Sequence, residues 1–188
     1  MEEPQSRFFC FDLASPSCYL AAERILQVLE APVEWLPVSA AGLKDADQIP
    51  DCARSQQELA RRAKDLGLLP MRWPQPYPFD STLAMSVATY AKEIGKTVAF
   101  AQAAFRQAFA GGNPLDRQDT VLIAAAACEM HPKAVLRAIG SASVAKRLRE
   151  ATACARACGV REVPSVVLDG EILTGEEVLA LIGEHGAL

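Results

Sequence analysis

The sequence is poor in what most metal and general-base sites are made of. Histidine occurs only twice in 188 residues, and His131, directly before Pro132, reads as a helix cap or surface residue rather than a base. No His/Asp/Glu cluster forms, so no metal is expected. The cysteines Cys10, Cys18, Cys52, Cys128, Cys154 and Cys158 lack the paired CxxC spacing of a zinc site. No apolar run approaches the roughly 20 residues of a membrane span. Met1-Glu2-Glu3-Pro4-Gln5-Ser6 is acidic and polar where a signal peptide is basic and then apolar. A cytoplasmic protein with no membrane partner is expected, its thiols mostly reduced and no disulfide framework implied. The net charge of −4 carries no basic stripe, so no nucleic-acid partner is expected. With 51% hydrophobic and 22% charged residues, the chain has the balance of a soluble globular protein. Its length suits one large domain or one domain with an insertion.

The most informative stretch runs from Phe8 to Leu20. Of the seven residues Phe8 to Ala14, six are apolar and three aromatic, which predicts a buried strand. Ser15-Pro16 then opens a helix in which Tyr19, Leu20, Ala22, Ile25, Leu26 and Leu29 recur at near-helical spacing. Ser15 suits the N-cap, and Pro16 the first helical position, where its missing N–H loses no bond. Such a helix start aims unpaired N–H groups and about half a positive charge at whatever lies above it, which suits an anion or a thiolate.

The helix should end near Glu30, because Ala31-Pro32 disfavours the α conformation. Val33 to Val38 reads as a strand, and strand, helix and strand together make a parallel βαβ unit. From residue 39 to about 158 no strand is convincing. Ser39 to Cys52 reads as a polar loop and Ala53 to Leu66 as a helix. The Pro-punctuated stretch from Gly67 to Pro78 packs down, with Trp73 and Tyr77 either lining a ligand cleft or simply packing. A helix follows, capped by Asp80 or Ser81, then one capped by Thr97 and an alanine-rich one from about Asp119 to Met130. His131-Pro132 opens a short helix, and Ser143 caps a long one to Cys158. Cys154 and Cys158 share a face of that helix and read as small core residues. Strands return at Pro164 to Leu168 and Glu171 to Thr174, joined by Asp169-Gly170 in an antiparallel hairpin. A last helix runs from Glu176 to Gly183, where Glu176 and Glu177 favour the helix dipole.

The order β-α-β, helical block, β-β-α is that of an α/β thioredoxin-like fold with a large all-helical insertion. It divides into residues 1–38, an insertion at 39–153, and residues 154–188. Two motifs then carry a family likeness. Phe11-Asp12-Leu13-Ala14-Ser15-Pro16-Ser17-Cys18-Tyr19-Leu20-Ala21 is similar to F-D-x-x-S-P-x-S-Y-L-A. Gly159-Val160-Arg161-Glu162-Val163-Pro164-Ser165 is similar to G-V-x-G-V-P-T. The chain resembles the DsbA-like thioredoxin superfamily, in its 2-hydroxychromene-2-carboxylate isomerase and kappa-class glutathione transferase branch.

That resemblance implies a glutathione-dependent isomerase acting on a small aromatic substrate, or a kappa-class-like glutathione transferase. Ser15 then replaces the nucleophilic cysteine of the disulfide oxidoreductases and donates a hydrogen bond to the glutathione thiolate. Val163-Pro164 becomes a cis peptide facing the helix start, with the backbone of Val163 pairing with the cysteinyl part of glutathione. Glu176 and Glu177 fall where the family has a Gly-(Ser/Asn)-Asp-Arg run that holds the γ-glutamyl group. Ser17, Cys18, Trp73 and Tyr77 are the candidates for the substrate cleft. The resemblance also implies a homodimer, which nothing in the residues requires. The alternative is a non-catalytic or monothiol DsbA-like binding protein working through Cys18. A dithiol oxidoreductase is excluded, because Ser15-Pro16-Ser17-Cys18 has lost the first cysteine of that register.

Overall fold

In the computed structural model, which describes residues 7–43 and 56–184, β1 (Arg7–Phe11) lies in the interior of a sheet ordered β2-β1-β3-β4. It pairs in parallel with β2 (Glu34–Pro37) and antiparallel with β3 (Ser165–Leu168). Its side chains alternate between two cores. Phe9 and Phe11 enter the larger one, beneath the helices of the insertion, while Phe8 and Cys10 pack with Val38, Ala155, Val160 and Val167 on the other face. A strand covered on both faces has no polar side to show, which accounts for its unbroken apolar run.

α1 (Pro16–Val28) follows β1 and packs against α5 (Thr97–Phe109) and α9 (Gly175–Glu184). The βαβ unit, the parallel β1 and β2, and the thioredoxin-like order with its helical insertion are all present as the sequence predicts. β3 and β4 (Glu171–Thr174) are antiparallel. Their turn places Asp169 at φ 52 and Gly170 at φ 96, the pair of left-handed residues that a two-residue hairpin requires. Arg7 Nε donates to Asp169 Oδ2 at 2.8 Å across the sheet's end.

The insertion contains α2 (Ala40–Leu43), α3 (Gln56–Asp65), α4 (Thr82–Glu93), α5, α6 (Gln118–Ala126), α7 (Pro132–Ile139) and α8 (Ala142–Ala157). It shares the sheet's core rather than forming one of its own: Phe105 of α5 meets Phe11 edge to face at 6.0 Å and Tyr19 at 6.4 Å. No strand interrupts it among the described residues.

Several local expectations are corrected. The first four residues of the polar loop after Ser39 form α2, and its remainder lies outside the described residues. Ser141, not Ser143, caps α8, its Oγ accepting from Val144 N at 3.4 Å, while Ser143 shares a hydrogen bond with Ser141. Thr97 lies inside α5, and Lys96 takes the cap position. α6 stops at Ala126 because Glu129 turns left-handed at φ 55 and Met130 N returns to the Ala125 carbonyl at 3.0 Å. Cys154 and Cys158 are exposed rather than core. α8 packs against α2, α4 and β2, and its cysteine-bearing face looks outward.

One buried carboxylate joins the three parts of the chain that meet at the end of β1. Asp12, 5% exposed, accepts from Ala14 N at 2.9 Å and Ser81 Oγ at 2.7 Å through Oδ1, and from Ala40 N at 2.9 Å through Oδ2. It therefore ties the β1–α1 turn to the start of α2 and the start of α4. Removing it strands three donors that now bond to a charged group. Asp12→Ala should lower stability by about 3 kcal/mol or more. Asp169→Ala, which breaks a half-exposed ion pair with Arg7, should cost under about 1 kcal/mol. Urea unfolding of the two variants tests the contrast, and equal losses would contradict the role given to Asp12.

Candidate functional site

Ser15 stands at the end of the Asp12 turn in an extended conformation, φ −91 and ψ 115, with Pro16 as the first helical residue. Its N–H donates to the Asp12 carbonyl at 3.0 Å, and its Oγ accepts from Cys18 N at 3.2 Å. The serine is half-buried, so its hydroxyl reaches the open end of α1. The N-cap role read from the sequence is thus present. The hydroxyl's proton is not consumed by that role, because a capping oxygen accepts and keeps its own proton to give.

Cys18 lies one turn further in and is fully buried, and Ser17 beside it is 7% exposed. Burial pushes the Cys18 thiol up to about 12, against the smaller downward pull of hydrogen bonds from the Ser15 side chain and the Asp12 backbone. At neutral pH it is a thiol, not a thiolate, and makes a poor nucleophile. Of the four residues Ser15 to Cys18, only the first two are half-exposed.

The Val163-Pro164 bond is cis. β3 begins at Ser165, paired with Cys10, so Val163 and Pro164, immediately before it, come in at the end of β1 where the chain turns toward Ser15. Among the described residues, neither peptide group of Val163 finds a main-chain partner. The Pro164 carbonyl accepts from Gly175 N at 2.9 Å, which brings the start of α9 to the same place. Gly175 has φ +40, and a Cβ there would stand 2.3 Å from Glu162 Oε1.

The two glutamates at the start of α9 have other partners. Glu177 Oε2 accepts from Thr174 N at 2.9 Å, which is the reciprocal half of a capping box. Glu176 Oε2 pairs with Arg62 Nη1 of α3 at 2.9 Å, and Arg62 also holds Glu58.

Trp73 and Tyr77 are half-buried and meet edge to face at 5.1 Å, each also in contact with Phe109. Phe109 stacks on Tyr19 at 5.9 Å, whose N–H bonds to the Ser15 carbonyl. The aromatic group is thus linked to the first turn of α1 through Phe109 and Tyr19. The stretch carrying it has two further cis bonds, Gln75-Pro76 and Tyr77-Pro78.

Asp12 was the residue whose role the sequence did not reveal. Its one local signal was a carboxylate inside an otherwise apolar run. The ion pair of Glu23 with Arg106, in which Nε and Nη2 each reach a carboxylate oxygen at 2.7 Å, had no signal, its members being 83 residues apart. A cleft of about 470 Å³ also opens between α2, α4 and α8. Its wall includes Ser39 and Thr82, the neighbours of the two outer residues bonded to Asp12. Among the described residues, no group of three or more His, Cys, Asp or Glu side chains could hold a metal. No described helix is long and apolar enough to cross a membrane.

A thioredoxin fold whose β1–α1 turn opens on serine rather than cysteine is what the sheet, the cis-proline and the helix start define. The chain belongs to the DsbA-like thioredoxin domain family, whose profile matches residues 8–185. Among solved structures it is similar to 2-hydroxychromene-2-carboxylate isomerase, at 21% identity and TM-score 0.79 over 95% of this chain and 93% of the other. It is also similar to a probable DsbA oxidoreductase from Streptomyces coelicolor, at 18% identity and TM-score 0.76 over 97% and 88%. The cytosolic disulfide reductase DsbM from Pseudomonas aeruginosa, in a structure with GSH, matches at 13% identity and TM-score 0.64 over 97% and 99%. These likenesses establish the fold. No curated protein matches the chain significantly.

The state of Cys18 is directly testable. With a pKa of about 12, its thiolate fraction at pH 8 is about one part in ten thousand and rises with pH. Iodoacetamide at pH 8 should label the exposed Cys154 and spare Cys18 in the folded protein, and denaturant should abolish the difference. Labelling of Cys18 as fast as Cys154 would contradict its burial.

Proposed function

We propose that this protein is a glutathione-dependent enzyme of the 2-hydroxychromene-2-carboxylate isomerase type, acting in the cytoplasm on a small aromatic substrate. The observation that carries the reading is Ser15, half-buried at the start of α1 with its oxygen accepting from Cys18 N–H, where a hydroxyl can donate to a ligand's sulfur.

Glutathione, when bound, supplies a thiolate nucleophile. Ser15 donates to that sulfur, and the N-terminus of α1 adds its partial positive charge, so both favour the ionised form. Serine needs no neighbouring base for this, since it acts as a donor and not as a nucleophile. Cys18 stays protonated and offers no competing anion for the same proton. The free peptide edge at Val163 suits an extended peptide-like ligand, which adds main-chain hydrogen bonds there. At the other end, Glu177 is held by its capping bond and Glu176 by Arg62. A γ-glutamyl ammonium therefore meets a carboxylate already shared with a cation, and most of the fit rests on the cysteinyl part. Trp73 and Tyr77 offer aromatic edges and faces to a planar substrate.

The same geometry disfavours a monothiol redox protein, whose reactive group needs exposure and a lowered pKa. A relative of the same fold was solved with GSH, which is in keeping with the ligand class.

The test is Ser15→Ala. Losing a hydrogen bond to a charged group costs about 1.5–3 kcal/mol, so turnover of 2-hydroxychromene-2-carboxylate at neutral pH should fall by about 10- to 100-fold. Activity should recover in part as pH rises toward the free thiol's pKa of about 8.5, because the thiolate then forms without help. Calorimetric affinity for glutathione should change less. A wild-type protein that binds no glutathione at millimolar concentration, with a variant that is merely less stable, would leave Ser15 as a cap and overturn the reading.

A further inference from the structure

Two thiols stand apart from the Ser15 site. Cys154 and Cys158 lie four residues apart at the end of α8, both exposed, so they share one face of the helix. Cys158 is the C-cap, its N–H bonded to the carbonyls of Cys154 and Arg156, and Gly159 follows at φ +101. Both thiols therefore ride on the last closed turn of the helix, held at one spacing by main-chain bonds.

That spacing decides what the pair can do. Helix positions four apart hold their Cβ atoms about 5–6 Å from each other, whereas a disulfide needs about 3.5–4.5 Å. The two sulfurs are too far apart at their roots to close on themselves without unwinding the turn, yet they converge closely enough to grip one atom placed between them. A cation that needs three or four ligands is not served, since no third ligand joins the pair among the described residues. Cys10 is within electrostatic reach of both, but it is fully buried in β1.

We propose that Cys154 and Cys158 form a dithiol clamp for soft, thiophilic centres that accept two thiolates, with monosubstituted trivalent arsenicals as the ligand class. Two As–S bonds form and two As–O bonds break. The departing oxygens leave as water with the two thiol protons, and neither arsenic nor sulfur changes oxidation state. Because both sulfurs are fixed on one turn, the second bond forms at a high effective concentration, and the adduct resists displacement by a monothiol. Cys18 and Cys128, each buried, offer no such pair.

The experiment uses phenylarsine oxide on the full chain carrying Cys52→Ser, since Cys52 lies outside the described residues. Intact mass spectrometry in a large excess of 2-mercaptoethanol should show one equivalent bound, removable by ethanedithiol. Cys154→Ser and Cys158→Ser should each reduce retention at least tenfold, while Cys128→Ser leaves it in place. Circular dichroism of the two exposed serine variants should match that of the parent. An adduct that survives in either single variant, or a parent protein that retains none, would overturn the clamp.

Discussion

The β1–α1 turn is held by a carboxylate buried away from bulk solvent. Asp12 satisfies itself on donors from residues 14, 40 and 81, and a buried charge must be paired or hydrogen-bonded in this way to be tolerated. It joins three parts of the chain: the end of the central β-strand, the exit from β2, and the helix that begins the packed part of the insertion. Ser15 follows three residues later and hangs from the Asp12 carbonyl. The position of the serine hydroxyl is therefore set by the insertion as well as by the sheet, and loosening the α4 start would be felt at the head of α1.

The second constraint is electrostatic. A helix N-terminus stabilises an anion, and the residues around it decide which. In this chain the buried Cys18 is pushed up to about 12 and stays neutral, so the field of α1 is left for a guest. The same fold with an exposed cysteine in place of Ser15 would carry its own thiolate. In the proposed function, the serine and the deeply buried thiol work in one direction: the reactive sulfur belongs to a ligand rather than to the protein.

Legibility in the sequence followed the range of the interactions. Ser15-Pro16, the apolar run of β1 and the Asp169-Gly170 hairpin are local signals, each set by the conformational preferences of adjacent residues, and the structure repeats them. The capping box of Thr174 and Glu177 is also local, though the helix dipole by itself accounts for acidic residues at that position. What could not be read depends on distant partners. Nothing near Asp12 announces Ser81 or Ala40, and nothing near Glu23 announces Arg106. A shared helix face says that Cys154 and Cys158 go together, not which way they go. That direction was set by where α2, α4 and β2 lie against α8. Ser141 and Ser143 were equally good caps by type, and only the start of the helix separates them.

The central claim, that Ser15 and the start of α1 hold a glutathione sulfur as thiolate, is most directly tested by the ultraviolet absorbance of the thiolate in the protein–glutathione complex as pH is varied. The account predicts a midpoint well below the free thiol's value of about 8.5 in the wild type, moving back toward that value in Ser15→Ala. A bound glutathione that titrates like the free thiol, or an equal depression in both proteins, would contradict it.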